Sequence, residues 1–228
     1  MADDPSFAVA NSLFTLHWLY LENEVWLDSD SGWIAVVDDA SQFGMVEEFS
    51  YLPGAEYPGH ASVIFYKNGA ALELGANGMP RMRSADPEQT PYYMEAELNS
   101  PMVALRPGES YAFETRWHPV RAGKNLTSVN WGGTVEHPLV ASVSVDKLHL
   151  TGQFGIFYPC TLSAHLVEAN GAERKIALGS ADPLRLLQLD ETITASPRTV
   201  RVALHLEDAN GTDLGTLGMA ELPARKGM

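Results

Sequence analysis

The chain has 228 residues, 45% of them hydrophobic, and its 29 acidic and 15 basic residues give a formal charge of -14. That apolar content excludes a disordered chain, and the length suits two domains of about 100–120 residues each. The charge, with no basic stripe, excludes nucleic acid and disfavours anionic membranes and polyanionic glycans, leaving a small neutral saccharide or glycan as the expected partner.

From the N-terminus, Met1-Ala2-Asp3-Asp4-Pro5 is acidic and lacks the basic-then-apolar layout of a signal peptide. A cytoplasmic location is therefore expected unless a signal has been removed. No apolar run approaches the roughly 20 residues needed to cross a bilayer, so no membrane association is expected. Helical periodicity is nearly absent, while short apolar runs alternate with turn residues, the pattern of an all-β chain. The expected strands of the first half are Leu13 to Trp26, Trp33 to Val37, Ser62 to Tyr66, Ala71 to Leu74, Tyr92 to Leu98 and Tyr111 to Trp117. Before the last of these, Pro107-Gly108 marks a turn, proline fixing φ and glycine supplying a positive one.

The polar, aperiodic segment 121–130 reads as a linker, and Trp131-Gly132-Gly133 opens the second half. There Val140 to Val145, Phe154 to Tyr158, Leu162 to Val167 and Val200 to Leu206 read as strands of a small β-sandwich, immunoglobulin-like or fibronectin-like. The stretches His165 to Gly171 and His205 to Gly211 echo each other, and each ends in Asn-Gly. Both are expected to form hairpins with positive φ at the two turn positions.

Chemistry-bearing groups concentrate in Tyr92 to Leu98. On an extended strand Met94, Ala96 and Leu98 face the core, while Tyr93, Glu95 and Glu97 share the other face. Two carboxylates placed roughly 6–7 Å apart by strand rise are suited to splitting their pKa values for general acid/base work; the same spacing also fits two solvated glutamates. Trp18, Tyr20 and Trp26 share a parity with Glu22 and Glu24, the mixture of rings and carboxylates that sugars stack on and hydrogen-bond to, although core packing accounts for tryptophans as well. His60 follows a turn at Tyr57-Pro58-Gly59 and is a candidate proton-transfer or ligand group, or a plain surface residue. His17 is expected in the core, and Trp33, Trp117 and Trp131 in the core or at a domain interface. His165 and His205 are expected in solvent. The single cysteine, Cys160, reads as a small core residue. No histidine or cysteine spacing signals a metal, and no nucleotide loop or serine-hydrolase elbow occurs, so no cofactor is expected.

Tyr93 to Trp117, with its Glu-bearing strand and Leu105-Arg106-Pro107-Gly108-Glu109 turn, resembles the closing strands of galactose-mutarotase-like supersandwich proteins. Gly32-Trp33-Ile34-Ala35, Tyr57-Pro58-Gly59 and Glu95-Ala96-Glu97, in that order, resemble more closely the bacterial DUF4380 branch of that superfamily. The resemblance covers residues 11 to 118. It implies an antiparallel, supersandwich-like half domain over 1–122, ahead of the sandwich at 131–228. It also implies Glu95 in the place of the catalytic base of aldose epimerases, with Glu97 where that family has glutamine. The family's histidine pair precedes this strand, and only His17 and His60 do so here.

Two functional readings follow, and a structural one beside them. One is a carbohydrate-binding or accessory protein presenting Tyr93, Glu95, Glu97, Trp18, Tyr20 and Glu22 to a saccharide. The other is a carbohydrate-active enzyme, epimerase-like or glycan-cleaving, with Glu95 as base and His60 or Glu97 as acid. A third is a structural module in which open strand edges pair in a homo-oligomer.

Overall fold

A computed structural model describes residues 6–223 other than 75, 84, 87 and 90. The chain is all-β and antiparallel, and the described residues contain no α-helix. In chain order the strands are β1 (Phe7–Ala10), β2 (Leu13–Leu16), β3 (Asn23–Leu27), β4 (Trp33–Asp38), β5 (Phe43–Phe49) and β6 (Val63–Lys67). Then come β7 (Ala71–Leu74), β8 (Pro80–Arg83), β9 (Met94–Leu98), β10 (Thr115–Arg121), β11 (Ser128–Asn130) and β12 (Gly133–Ser144). The last six are β13 (Lys147–Ile156), β14 (Cys160–Glu168), β15 (Glu173–Ala181), β16 (Leu187–Thr194), β17 (Thr199–Glu207) and β18 (Asp213–Glu221).

The chain forms two compact units, Met1–Ile34 with Glu47–Arg116, and Ala35–Val46 with Trp117–Met228. The divisions fall inside β4, β5 and β10, which form one sheet in the order β10-β5-β4.

In the first unit, β3, β6 and β9 form a sheet with β6 in the centre. Its inner face contributes Leu27, Val63, Phe65, Ala96 and Leu98 to a cluster with Ile34, Phe49 and Phe113. Val25 and Val63 are almost fully buried, and each such side chain contributes about 1.5–3 kcal/mol. The β1–β2 ribbon joins this side through Phe14, whose ring stacks 6.1 Å from that of Phe65.

In the second unit two four-stranded sheets, β11-β12-β13-β16 and β15-β14-β17-β18, pack as a β-sandwich. Alternate residues fill the core: Leu148 and Leu150 from one sheet, Leu162, Ala164, Leu166, Val202, Leu204 and Leu206 from the other. Cys160 is buried, as expected, and burial pushes its thiol pKa up. A second cluster joins Val46, Val120, Ala122 and Phe157.

Several boundaries differ from the sequence reading. Leu13 to Trp26 is not one strand but β2 and β3, separated by six residues outside named strands. The strand expected at Tyr111 to Trp117 begins at Thr115 and runs to Arg121. The segment read as a linker ends in β11, paired with β12. Both expected hairpins form, between β14 and β15 and between β17 and β18. Only their glycines take positive φ, +82° at Gly171 and +80° at Gly211. The N–H of Glu168 bonds to Ala172 O and that of Gly171 to Glu168 O, which makes a three-residue loop, a type I turn closed by a left-handed glycine, in place of a two-residue turn. The sequence reading missed β1, β5, β8, β15, β16 and β18, which are short or carry polar and small residues that blur the alternation.

Candidate functional site

The inward packing of Ala96 and Leu98 fixes the phase of β9. Side chains alternate along a strand, so Glu95 and Glu97 stand on the opposite face, as the spacing predicts. Strand pairing then decides what they meet. Glu24 pairs with Tyr66 and Tyr66 with Glu95; Trp26 pairs with Ile64 and Ile64 with Glu97. Paired residues project to the same side with Cβ atoms about 4.5–5.5 Å apart. Three carboxylates, an indole and a phenol thus cover one small face in two cross-strand rows. The face is not open water: Ile64, in its middle, is only 7% exposed.

The proton balance follows from this crowding. Glu97 has its pKa raised, first by a hydrogen bond with Glu95, then by burial and by the charges of Glu95 and Glu24. Like charges this close disfavour full ionisation, so Glu97 gives up its proton less readily than an isolated glutamate.

Trp26 is held in place by its neighbours. It stays 47% exposed, yet its ring lies against Gly59, where an added Cβ would come within 2.3 Å of Cζ3. Gly59 has φ +57° and His60 φ +59°, two successive left-handed residues in the 3-10 turn Pro58–His60. A non-glycine residue there is uncommon. Below the turn, Tyr57 is buried and its hydroxyl accepts the N–H of Leu52 at 2.9 Å. The turn therefore abuts Trp26 from a firm base. His60 itself is exposed, and the groups acting on Glu97 are Glu95 and Glu24, not His60.

Tyr93 is half exposed and meets Tyr66 edge-on with centroids 6.2 Å apart. Asn68 positions it. The Asn68 N–H donates to Tyr93 O, Asn68 Oδ1 accepts the Tyr93 N–H at 2.9 Å, and Asn68 Nδ2 donates to Pro91 O at 2.9 Å.

The other expected binding residues stand differently. Trp18 and Tyr20 do not continue the parity of β3, because the chain between β2 and β3 is not extended and touches Ala70 only through a single parallel bridge at Leu21. Both rings instead meet Tyr92 edge-on, at 4.7 and 4.6 Å. Glu22 is bound by Arg83 at 2.7 Å. These residues form a separate exposed cluster, and the strand argument that joined them to Glu24 and Trp26 fails. His17 is exposed and not in the core. Trp117 and Trp131 are 62% and 69% exposed, so neither takes the core place that was one of the two expected for them.

Sequence reasoning missed Tyr66 altogether. It lies in an expected strand, but only the register of β6 against β3 and β9 places it between two carboxylates. In the second unit it also missed that His165 and His205 stack on each other, centroids 4.1 Å apart and half-buried, where solvent exposure was expected. Among the described residues no group of three His, Cys, Asp or Glu side chains is placed to hold a metal ion. No protein-family model, no curated protein and no solved structure matches this chain.

Proposed function

We propose that the outer face of β3, β6 and β9 is a saccharide-binding surface and that the chain is a carbohydrate-binding or accessory protein. One observation carries this reading: Trp26 and Tyr66 alternate with Glu24, Glu95 and Glu97 in paired rows on a single face. Sugars offer C–H faces for rings and hydroxyls for carboxylates, so rings and carboxylates side by side suit them. Tyr93 borders the face, while Trp18, Tyr20 and Glu22 offer a second aromatic patch. The resemblance to galactose-mutarotase-like proteins, read from the sequence of residues 11 to 118 alone, would imply a saccharide ligand as well, but the proposal does not depend on it. Binding is favoured over catalysis because His60 is not among the groups that shift Glu97, whose neighbours are the carboxylates of Glu95 and Glu24.

The enzyme reading has one feature in its favour, the raised pKa of Glu97, which is the direction an acid catalyst needs. With Glu95 as base and Glu97 as acid, the face would be epimerase-like. Titrating mono- and oligosaccharides against tryptophan fluorescence, with Trp26→Ala and Glu95→Gln as variants, separates the readings. Binding lost in Trp26→Ala, weakened in Glu95→Gln and without turnover is expected. Turnover abolished by Glu95→Gln would replace the module with an enzyme, and no response to any sugar would reject both.

A further inference from the structure

Resting on the saccharide reading, we infer that the ligand of this face is a cationic sugar, one bearing a free ammonium group such as a glucosamine oligomer. The charged groups on the face are Glu24, Glu95 and Glu97, and none of its six positions, 24, 26, 64, 66, 95 and 97, is basic. The carboxylates alone would not specify a ligand; the rings among them do. Aromatic faces carry negative potential and attract cations, tryptophan most strongly, and they do so best at partly desolvated sites. Trp26 stands beside Ile64 on β3 and Tyr66 two residues along β6, so an ammonium set over Ile64 would have both rings near it together with the carboxylates of β3 and β9.

Donor and acceptor counting points the same way. Ionised carboxylates only accept hydrogen bonds, and an ammonium only donates, three times. A neutral hydroxyl satisfies such a site less fully, and it leaves the mutual repulsion of Glu24, Glu95 and Glu97 in place. A metal ion is not the cation required, because no group of three such side chains among the described residues is placed to hold one. An organic ammonium has the size to span rings and carboxylates without tight convergence. The formal charge of -14 draws such a ligand toward the protein from a distance.

Binding is then linked to protons. The like-charged neighbours of Glu97 raise its pKa and an incoming ammonium opposes that rise, so the ligand binds the ionised carboxylates best and affinity falls once acid protonates them.

The test is a titration of the intact protein at pH 7 with glucosamine oligomers, with the N-acetylated oligomers of equal length, and with glucose oligomers. Isothermal calorimetry and tryptophan fluorescence give the affinities. Glucosamine oligomers should bind at least tenfold tighter than both others, with affinity falling as salt rises and in acid. The preference should disappear in the double variant Glu95→Gln, Glu97→Gln. Equal or tighter binding of the N-acetylated or glucose oligomers would overturn the cationic ligand and leave the saccharide reading standing. Failure of all three would overturn both. Glucosamine binding unchanged in Trp26→Ala but reduced by Glu191→Gln, a carboxylate of the second unit, would show diffuse attraction to an acidic protein and would also overturn the site.

Discussion

At the scale of single residues, the geometry of the face depends on Gly59. Its left-handed φ and the indole against it leave no room for a side chain. Gly59→Ala is expected to cost about 1–3 kcal/mol through overpacking and to displace Trp26; urea unfolding measures the first, the tryptophan emission maximum the second. Glu136 makes a contrasting case in the second unit. It is fully buried and accepts the Gly123 N–H at 2.9 Å, yet burial still raises its pKa. A carboxyl whose folded pKa exceeds its unfolded value favours the folded state in acid and loses that contribution as pH rises through the interval between them. Glu136→Gln should therefore raise the urea midpoint at pH 8 and leave it unchanged at pH 4. Unchanged midpoints at both would show that the charge is compensated. What the sequence revealed at this scale was the phase of Glu95 and Glu97, because alternation with Met94, Ala96 and Leu98 is written locally. That spacing also allowed one of the two pKa values to rise, and Glu97 is the one raised, chiefly by its hydrogen bond with Glu95; the added charge of Glu24, from β3, was not legible.

At the scale of elements, local signals identified strands where apolar residues alternate cleanly and failed where they do not. β14 and β17 were legible because Leu162, Ala164, Leu166, Val202, Leu204 and Leu206 mark one face. β15, exposed along much of its length, carries no such stripe. Register was illegible throughout, and register is what brings Tyr66 between Glu24 and Glu95. The apparent continuity of Trp18, Tyr20, Glu22 and Trp26 misled for the converse reason: parity has meaning only while the chain stays extended. Register also creates the His165–His205 stack on the outer side of β14 and β17. His165 Nε2 bonds Ser163 Oγ at 3.1 Å and His205 Nε2 bonds Thr216 Oγ1 at 3.3 Å. Around them stand Lys175 paired with Glu207, Glu173, and Asp213 3.9 Å from His205 Nδ1. Burial first, then His205 and Lys175, lowers the pKa of His165. A histidine with a lowered folded pKa costs stability as pH falls through its unfolded value of about 6.5. Melting temperature should therefore decline between pH 7 and pH 5, and His205→Gln should flatten that decline; an identical pH profile in the variant would contradict it.

At the scale of the whole molecule, the two units are not consecutive lengths of chain. Residues 35–46 belong to the second unit, and Val46 lies in a buried cluster with Val120, Ala122 and Phe157. A fragment beginning at Trp117 lacks that cover. It is expected to melt at a lower temperature than a fragment in which residues 35–46 are joined to it through a flexible linker, as circular dichroism would show; equal melting would mean that the hairpin adds nothing. The composition had indicated two β units, and the return of one hairpin to the other unit left no trace in composition or spacing. The proposed function rests on the first unit, where the rings and carboxylates of β3, β6 and β9 share one face. The most direct measurement is a nuclear magnetic resonance titration of the ¹⁵N-labelled chain with a glucosamine oligomer. Shifts concentrated at Glu24, Trp26, Tyr66, Glu95 and Glu97, spreading to Gly59 and Tyr93, are the predicted result. Shifts centred on Trp18, Tyr20 and Tyr92, or on the second unit, would contradict it.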